Sequence, residues 1–156
     1  MLIRNLVALF SFFILAGCSS DSDSDSFEEE PINFIRLDSG FNSLSQESPK
    51  RLTVLRNQAD LDQIWPSISS LPTPTIGTST IFIAEMATRP GIGVAEIVVE
   101  SIVENTDYAE VVITSFVPGP DCAVDAALST PFDAVQFDAA QLVLFRERLE
   151  IVDCEF

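Results

Sequence analysis

In 156 residues this chain sets 24 acidic against 8 basic side chains, for a formal net charge of -16, and it contains no histidine. The missing imidazole excludes a Ser-His-Asp or Cys-His nucleophile system, a histidine-ligated zinc site and an imidazole general base. The acidic field repels nucleic acid and anionic headgroups, so no nucleic-acid partner is expected and membrane attachment has to come from acyl chains.

Arg4 and the apolar run Leu6 to Leu15, broken only by Ser11, form the n-region and h-region of an export signal. The run falls short of the roughly 20 apolar residues that span a bilayer core, which argues against a transmembrane helix. Leu15-Ala16-Gly17-Cys18 closes it as a lipobox, in which small residues before a cysteine let a processing enzyme acylate the thiol and cut just before it. Residues 1–17 are therefore expected to be a lipoprotein signal peptide and Cys18 the lipidated, palmitate-bearing first mature residue. Ser19 is not the aspartate that resembles an inner-membrane retention signal. A lipoprotein of the cell envelope, at the outer membrane of a two-membrane cell, is the expected location.

Residues 18–31 are expected to form an acidic disordered tether, because Ser19 to Glu30 is too polar and like-charged to collapse. The alternation Asp21, Asp23, Asp25 has the spacing of a calcium loop. The match fails at its sixth position, Ser26 rather than glycine, and at its twelfth, Ile32 rather than glutamate.

One domain is expected over 32–156, long enough for a real core. Ile32 to Leu37 reads as a strand ahead of an Asp38-Ser39-Gly40 turn, and Arg51 to Arg56 as another strand. Asn57 can cap a helix with Asp60 in support, and Leu61, Ile64, Trp65 and Ile68 recur at helical spacing, with Trp65 as a core anchor. Pro66 limits the regularity of that helix. Leu71 to Thr75 is a stiff connector.

Thr80 to Val117 carries the densest strand signal, in three segments that read as a meander. In its middle segment Ala95, Ile97, Val99 and Val103 should face one way and Glu96, Glu100 and Glu104 the other. Glutamates two apart on a strand face lie roughly 6 to 7 Å from each other, within the range of glycoside hydrolases, but the same alternation wets one face of any antiparallel sheet. Strand character returns at Phe132 to Phe137. Leu142 to Val152 has the spacing of a helix and the composition of a strand, and strand is the favoured reading. With Cys18 used by lipid, Cys122 and Cys154 remain as a disulfide pair for an oxidising compartment, or else as free thiols or a redox pair.

The order of these features resembles the domain named after the C-terminal part of PrcB, a lipoprotein subunit of a bacterial surface protease complex. The pieces are Asp38-Ser39-Gly40, the Arg51-to-Trp65 strand and helix, Arg89-Pro90-Gly91, and Pro118-Gly119-Pro120 running to Ser129-Thr130-Pro131-Phe132. Typical members are similar to Arg-Pro-Thr-Gly-Gly-Tyr where this chain has Gly91-Ile92-Gly93 after Arg89-Pro90. The resemblance implies a noncatalytic envelope domain that associates with and stabilises a secreted protease.

The expectation is an α+β domain, mainly antiparallel β, with about six or seven strands in a meander-rich sheet and one short helix. It would hold a protein partner, with no cofactor, no metal and no catalytic residues. Partner contacts are expected on the two least regular loops, Arg89, Pro90, Gly91, Ile92 and Gly93, and Pro118, Gly119, Pro120 and Asp121. A protease inhibitor that presents the Arg89–Gly93 loop is the first alternative, and a carboxylate-dependent envelope hydrolase the second.

Overall fold

The computed structural model describes residues 30–43, 47–90, 95–123, 126–139 and 142–154. The expected signal peptide, Cys18, residues 18–29 of the tether, and Gly91, Ile92 and Gly93 lie outside the described residues. Glu30 and Pro31, expected to belong to the tether, instead pair with a strand as the first element of the domain.

The described chain is mostly β with one short helix. Its strands are β1 (Glu30–Pro31), β2 (Phe34–Ser43), β3 (Arg51–Leu55), β4 (Thr80–Glu85), β5 (Arg89–Pro90), β6 (Glu96–Glu104), β7 (Tyr108–Pro118), β8 (Leu128–Phe137) and β9 (Leu142–Val152). Helix α1 spans Gln58–Ile64 and tightens into a 3-10 turn at Trp65–Ser67. A front sheet runs β1-β6-β7-β9, and a central sheet runs β2-β8-β4-β3 with β5 added on β8. All pairings are antiparallel except β7 with β9, which is parallel. The expected meander therefore reduces to the β6–β7 hairpin, because β4 lies in the other sheet.

The reason is visible in β4 itself. Its run Ile81-Phe82-Ile83-Ala84 has no polar face, and every residue of the strand is buried. Phe82 and Ala84 pack toward the front sheet, with Ile97, Val99, Val111, Ile113 and Val135, while Ile81 and Ile83 pack toward the helix, with Leu61, Trp65 and Ile68. A strand buried on both faces has to sit in a middle layer. At about 1.5 to 3 kcal/mol per large apolar side chain, burial on both faces makes β4 a large contributor to stability.

Helix α1 begins where the Asn57 side chain accepts the Asp60 amide at 2.9 Å and ends as Pro66 enters the 3-10 turn. Trp65 is a core anchor: it is 1 % exposed and its indole N–H donates to the Leu71 carbonyl at 3.0 Å. Gln58 fastens the Pro-rich connector, donating to the Pro74 carbonyl and accepting the Ile76 amide, both at 3.0 Å.

Two bulges shift the expected periods. In β6 the pairing steps from Val99 to Ser101, so Glu100 is the extra residue. The inward face is then Ala95, Ile97, Val99 and Ile102 rather than Val103, and Glu104 no longer shares a face with Glu96. In β2 the step falls between Arg36 and Asp38. Asp38-Ser39-Gly40 accordingly continues the strand instead of turning it.

Candidate functional site

The expected tail strand, β9, forms one edge of the front sheet. It pairs with β7 from Tyr108 against Leu142 to Pro118 against Val152, and no strand among the described residues occupies its other side. A long free edge presents unpaired N–H and C=O groups to any extended chain that approaches.

The first third of β9 is anchored in the core. Val143 is buried, and the Phe145 ring stacks on Phe82 with centroids 5.2 Å apart. Ion pairs fix its middle: Lys50 Nζ donates to Glu147 Oε2 at 2.6 Å, Arg146 Nη2 donates to Glu110 Oε2 at 2.9 Å, and Arg148 lies 3.6 Å from Glu100. Solvent-exposed pairs of this kind contribute about 0 to 1 kcal/mol each, so they set orientation more than stability. Beyond them the strand leaves the cover of the central sheet. Leu149 and Ile151 share the inward parity of Val143 and Phe145, yet each is 65 % exposed.

The C-terminal end of β9 is strapped to the loop after β7. Gly119 N–H donates to the Val152 carbonyl at 2.9 Å, and a Cβ at Gly119 would stand 3.4 Å from both Ile151 Cγ2 and that carbonyl oxygen. Cys122 and Cys154 form the disulfide, with Cα atoms 5.1 Å apart. Pro118 closes β7, and Pro120 and Asp121 are exposed. Of the expected contact loops, this one is therefore tied to β9.

The other expected loop starts in a different setting. Arg89 and Pro90 pair with Ser129 and Leu128 of β8, and Thr88 ties in beside them, accepting the Ser48 amide at 2.7 Å and sharing a 3.0 Å hydrogen bond with Thr130. Arg89 is half-buried, with Nε enclosed and without a hydrogen-bond partner among the described residues. The loop after Pro118 ends at the same β8 residues, Leu128 and Ser129, so both candidate loops meet the start of that strand.

Glu96 and Glu100 are exposed on the outer side of the front sheet, where Glu100 is occupied by Arg148. Among the described residues no three His, Cys, Asp or Glu side chains converge as a metal site, and no helix is long and apolar enough to cross a membrane. Sequence reasoning missed Leu149 and Ile151 as candidate contacts. Their signal was present in the β-branched and aromatic content of the tail, but exposure depends on where the opposing sheet ends.

Together these features define a two-sheet β domain with a helix behind it, in which β9 is an edge strand strapped by the disulfide. No protein-family model, curated protein or solved structure matches the chain.

Proposed function

We propose that this chain is a lipid-anchored, noncatalytic protein of the cell envelope that binds or stabilises a partner protein through the free edge of β9. A secreted protease is the partner class that the PrcB resemblance implies. The observation that supports the reading is the second half of β9, where main-chain pairing capacity and two well-exposed apolar side chains, Leu149 and Ile151, occur on one strand. Strand addition uses this combination: main-chain hydrogen bonds give affinity and alternate side chains give specificity. With a net charge of -16, the chain favours a partner segment that is basic or neutral. The lipobox at Cys18 would hold this edge in a membrane-adjacent layer, where effective concentration adds to modest affinity.

The test places a photocrosslinking residue at Leu149 in cells that express the full chain, with Ile35 as the control. Ile35 is equally exposed, at 68 %, but lies on β2 of the central sheet. A discrete adduct from Leu149 and none from Ile35 is expected. Absence of an adduct at Leu149 under several growth conditions, or the same adducts at both positions, would remove the support for strand addition.

A further inference from the structure

A cleft away from β9 lies between β2 and the segment that follows the 3-10 turn. It is an open cleft of about 270 Å³, and Asp38, Gly40, Asn42, Ile68, Ser69 and Phe132 are among its lining residues. Register gives its construction. Asp38, Gly40 and Asn42 pair with Ala134, Phe132 and Thr130, so all three take the face of the central sheet that carries α1.

Two cross-links hold the walls. Asn42 Nδ2 donates to the Ile68 carbonyl at 2.7 Å, and the Ser69 hydroxyl donates to Asp38 Oδ2. Ser69 Oγ in turn accepts the Leu71 amide at 3.0 Å, which fixes the hydroxyl's direction. Between the cross-links stands Gly40, with φ of +149° and nothing within 4 Å of where its Cβ would be. The absence of a side chain there keeps the cleft open above Phe132. A conformation that L residues rarely adopt is thus maintained at the point where a side chain would fill the space.

The charge in the cleft is one-sided. Asp38 accepts from the Ser39 amide at 2.9 Å and from the Ser69 hydroxyl, both neutral donors. Among the described residues no cation is ion-paired to it, whereas the nearest basic residue in sequence, Arg36, is committed to Asp133. Each carboxylate oxygen carries two lone pairs and accepts one hydrogen bond, so both keep acceptor capacity. The volume lies below the roughly 300 to 1,000 Å³ of drug-sized sites, which suits a group the size of one side chain.

We infer that this cleft receives a guanidinium or alkylammonium group, which its Asp38 carboxylate would bind through charge-assisted hydrogen bonds. The group comes either from an arginine or lysine side chain of a protein or from a free amine. This site does not depend on strand addition at β9.

The experiment follows backbone amide shifts of the full chain in nonionic detergent during titration with three probes. They are acetyl-Gly-Arg-Gly-amide, its citrulline analogue and agmatine. The arginine peptide should shift the amides of Ser39, Gly40, Ser69 and Leu71 saturably, the citrulline peptide should not, and Asp38→Asn should weaken binding at least tenfold. Agmatine binding as tightly as the peptide assigns the site to a free amine; peptide binding at least tenfold tighter assigns it to a protein side chain. Equal responses to arginine and citrulline, no saturable shift in the native chain, or shifts spread evenly over exposed carboxylates would overturn the inference. The citrulline comparison uses the native chain and decides the matter even if Asp38→Asn does not fold.

Discussion

Arg36 grips Asp133 through two hydrogen bonds, Nε to Oδ1 at 2.9 Å and Nη2 to Oδ2 at 3.1 Å, and the pair binds both backbone groups of Val99 in the facing sheet. Arg36 Nη2 donates to the Val99 carbonyl at 2.9 Å, and the Val99 amide donates to Asp133 Oδ2 at 2.7 Å. Val99 immediately precedes the bulge at Glu100, and Arg36 immediately precedes the bulge in β2. One ion pair thus fastens two irregular strands across the sandwich, at a point where neither ladder can do so.

The two partners should respond unequally to removal. The Asp133 side chain is 1 % exposed and that of Arg36 is 42 % exposed. Arg36→Met strands a buried carboxylate, for which about 3 kcal/mol is expected. Asp133→Ala leaves an arginine that water can reach and one unpaired Val99 amide, a loss of about 2 kcal/mol. Urea unfolding of both variants would check the order, and equal or inverted losses would show that Asp133 is not held mainly by Arg36.

A polar group in β7 predicts the opposite sign. Thr114 is fully buried, and its Oγ1 has no hydrogen-bond partner among the described residues. The isosteric Thr114→Val keeps the β-branched shape while removing an unsatisfied hydroxyl. It should therefore raise stability by about 1 kcal/mol, seen as a higher urea midpoint with an unchanged slope. A loss of stability would mean that the hydroxyl is satisfied by water.

The legible features were those that short stretches of chain decide. Asn57 with Asp60 marks a helix start because the cap bond spans three residues, and Ile81-Phe82-Ile83-Ala84 marks a strand because the run is short and rich in β-branched and aromatic residues. The bulge at Glu100 was illegible, since it arises where Asp133, 34 residues later in sequence, binds the Val99 amide. Placing Val103 inward followed unbroken alternation, which one extra residue inverts. Asp38-Ser39-Gly40 has turn composition, yet nine residues of β8 pair along β2 and carry it through as strand. The cleft at Asp38 was hidden for a related reason: its second wall, Ile68 to Ser70, arrives only when α1 docks on the central sheet.

The disulfide supplies a further prediction. Cys122 and Cys154 are 32 residues apart in sequence, and closing a loop of that size stabilises by about 3 to 4 kcal/mol on the chain-entropy model. Cys122→Ser with Cys154→Ser should lower stability by up to that amount. Hydrogen exchange should accelerate first at Gly119, whose amide bonds Val152 beside the bridge. Uniform acceleration across both sheets, with no preference for this corner, would show that the bridge acts only on the unfolded chain.

Substitutions along β9 should separate its anchoring half from its exposed half. Phe145 stacks on Phe82 and is still 39 % exposed, so Phe145→Ala should cost about 1 to 2 kcal/mol from lost area and ring contact. Leu149→Lys and Ile151→Lys alter side chains that the domain scarcely covers, and their stability should stay within about 0.5 kcal/mol of the parent. If β9 is the partner edge, the same two lysines should abolish recovery of the partner that crosslinks at Leu149, whereas Phe145→Ala below its unfolding temperature should preserve it. A stability loss at Leu149 comparable to that at Phe145 would instead place Leu149 in the domain's own packing and leave the edge without an exposed anchor.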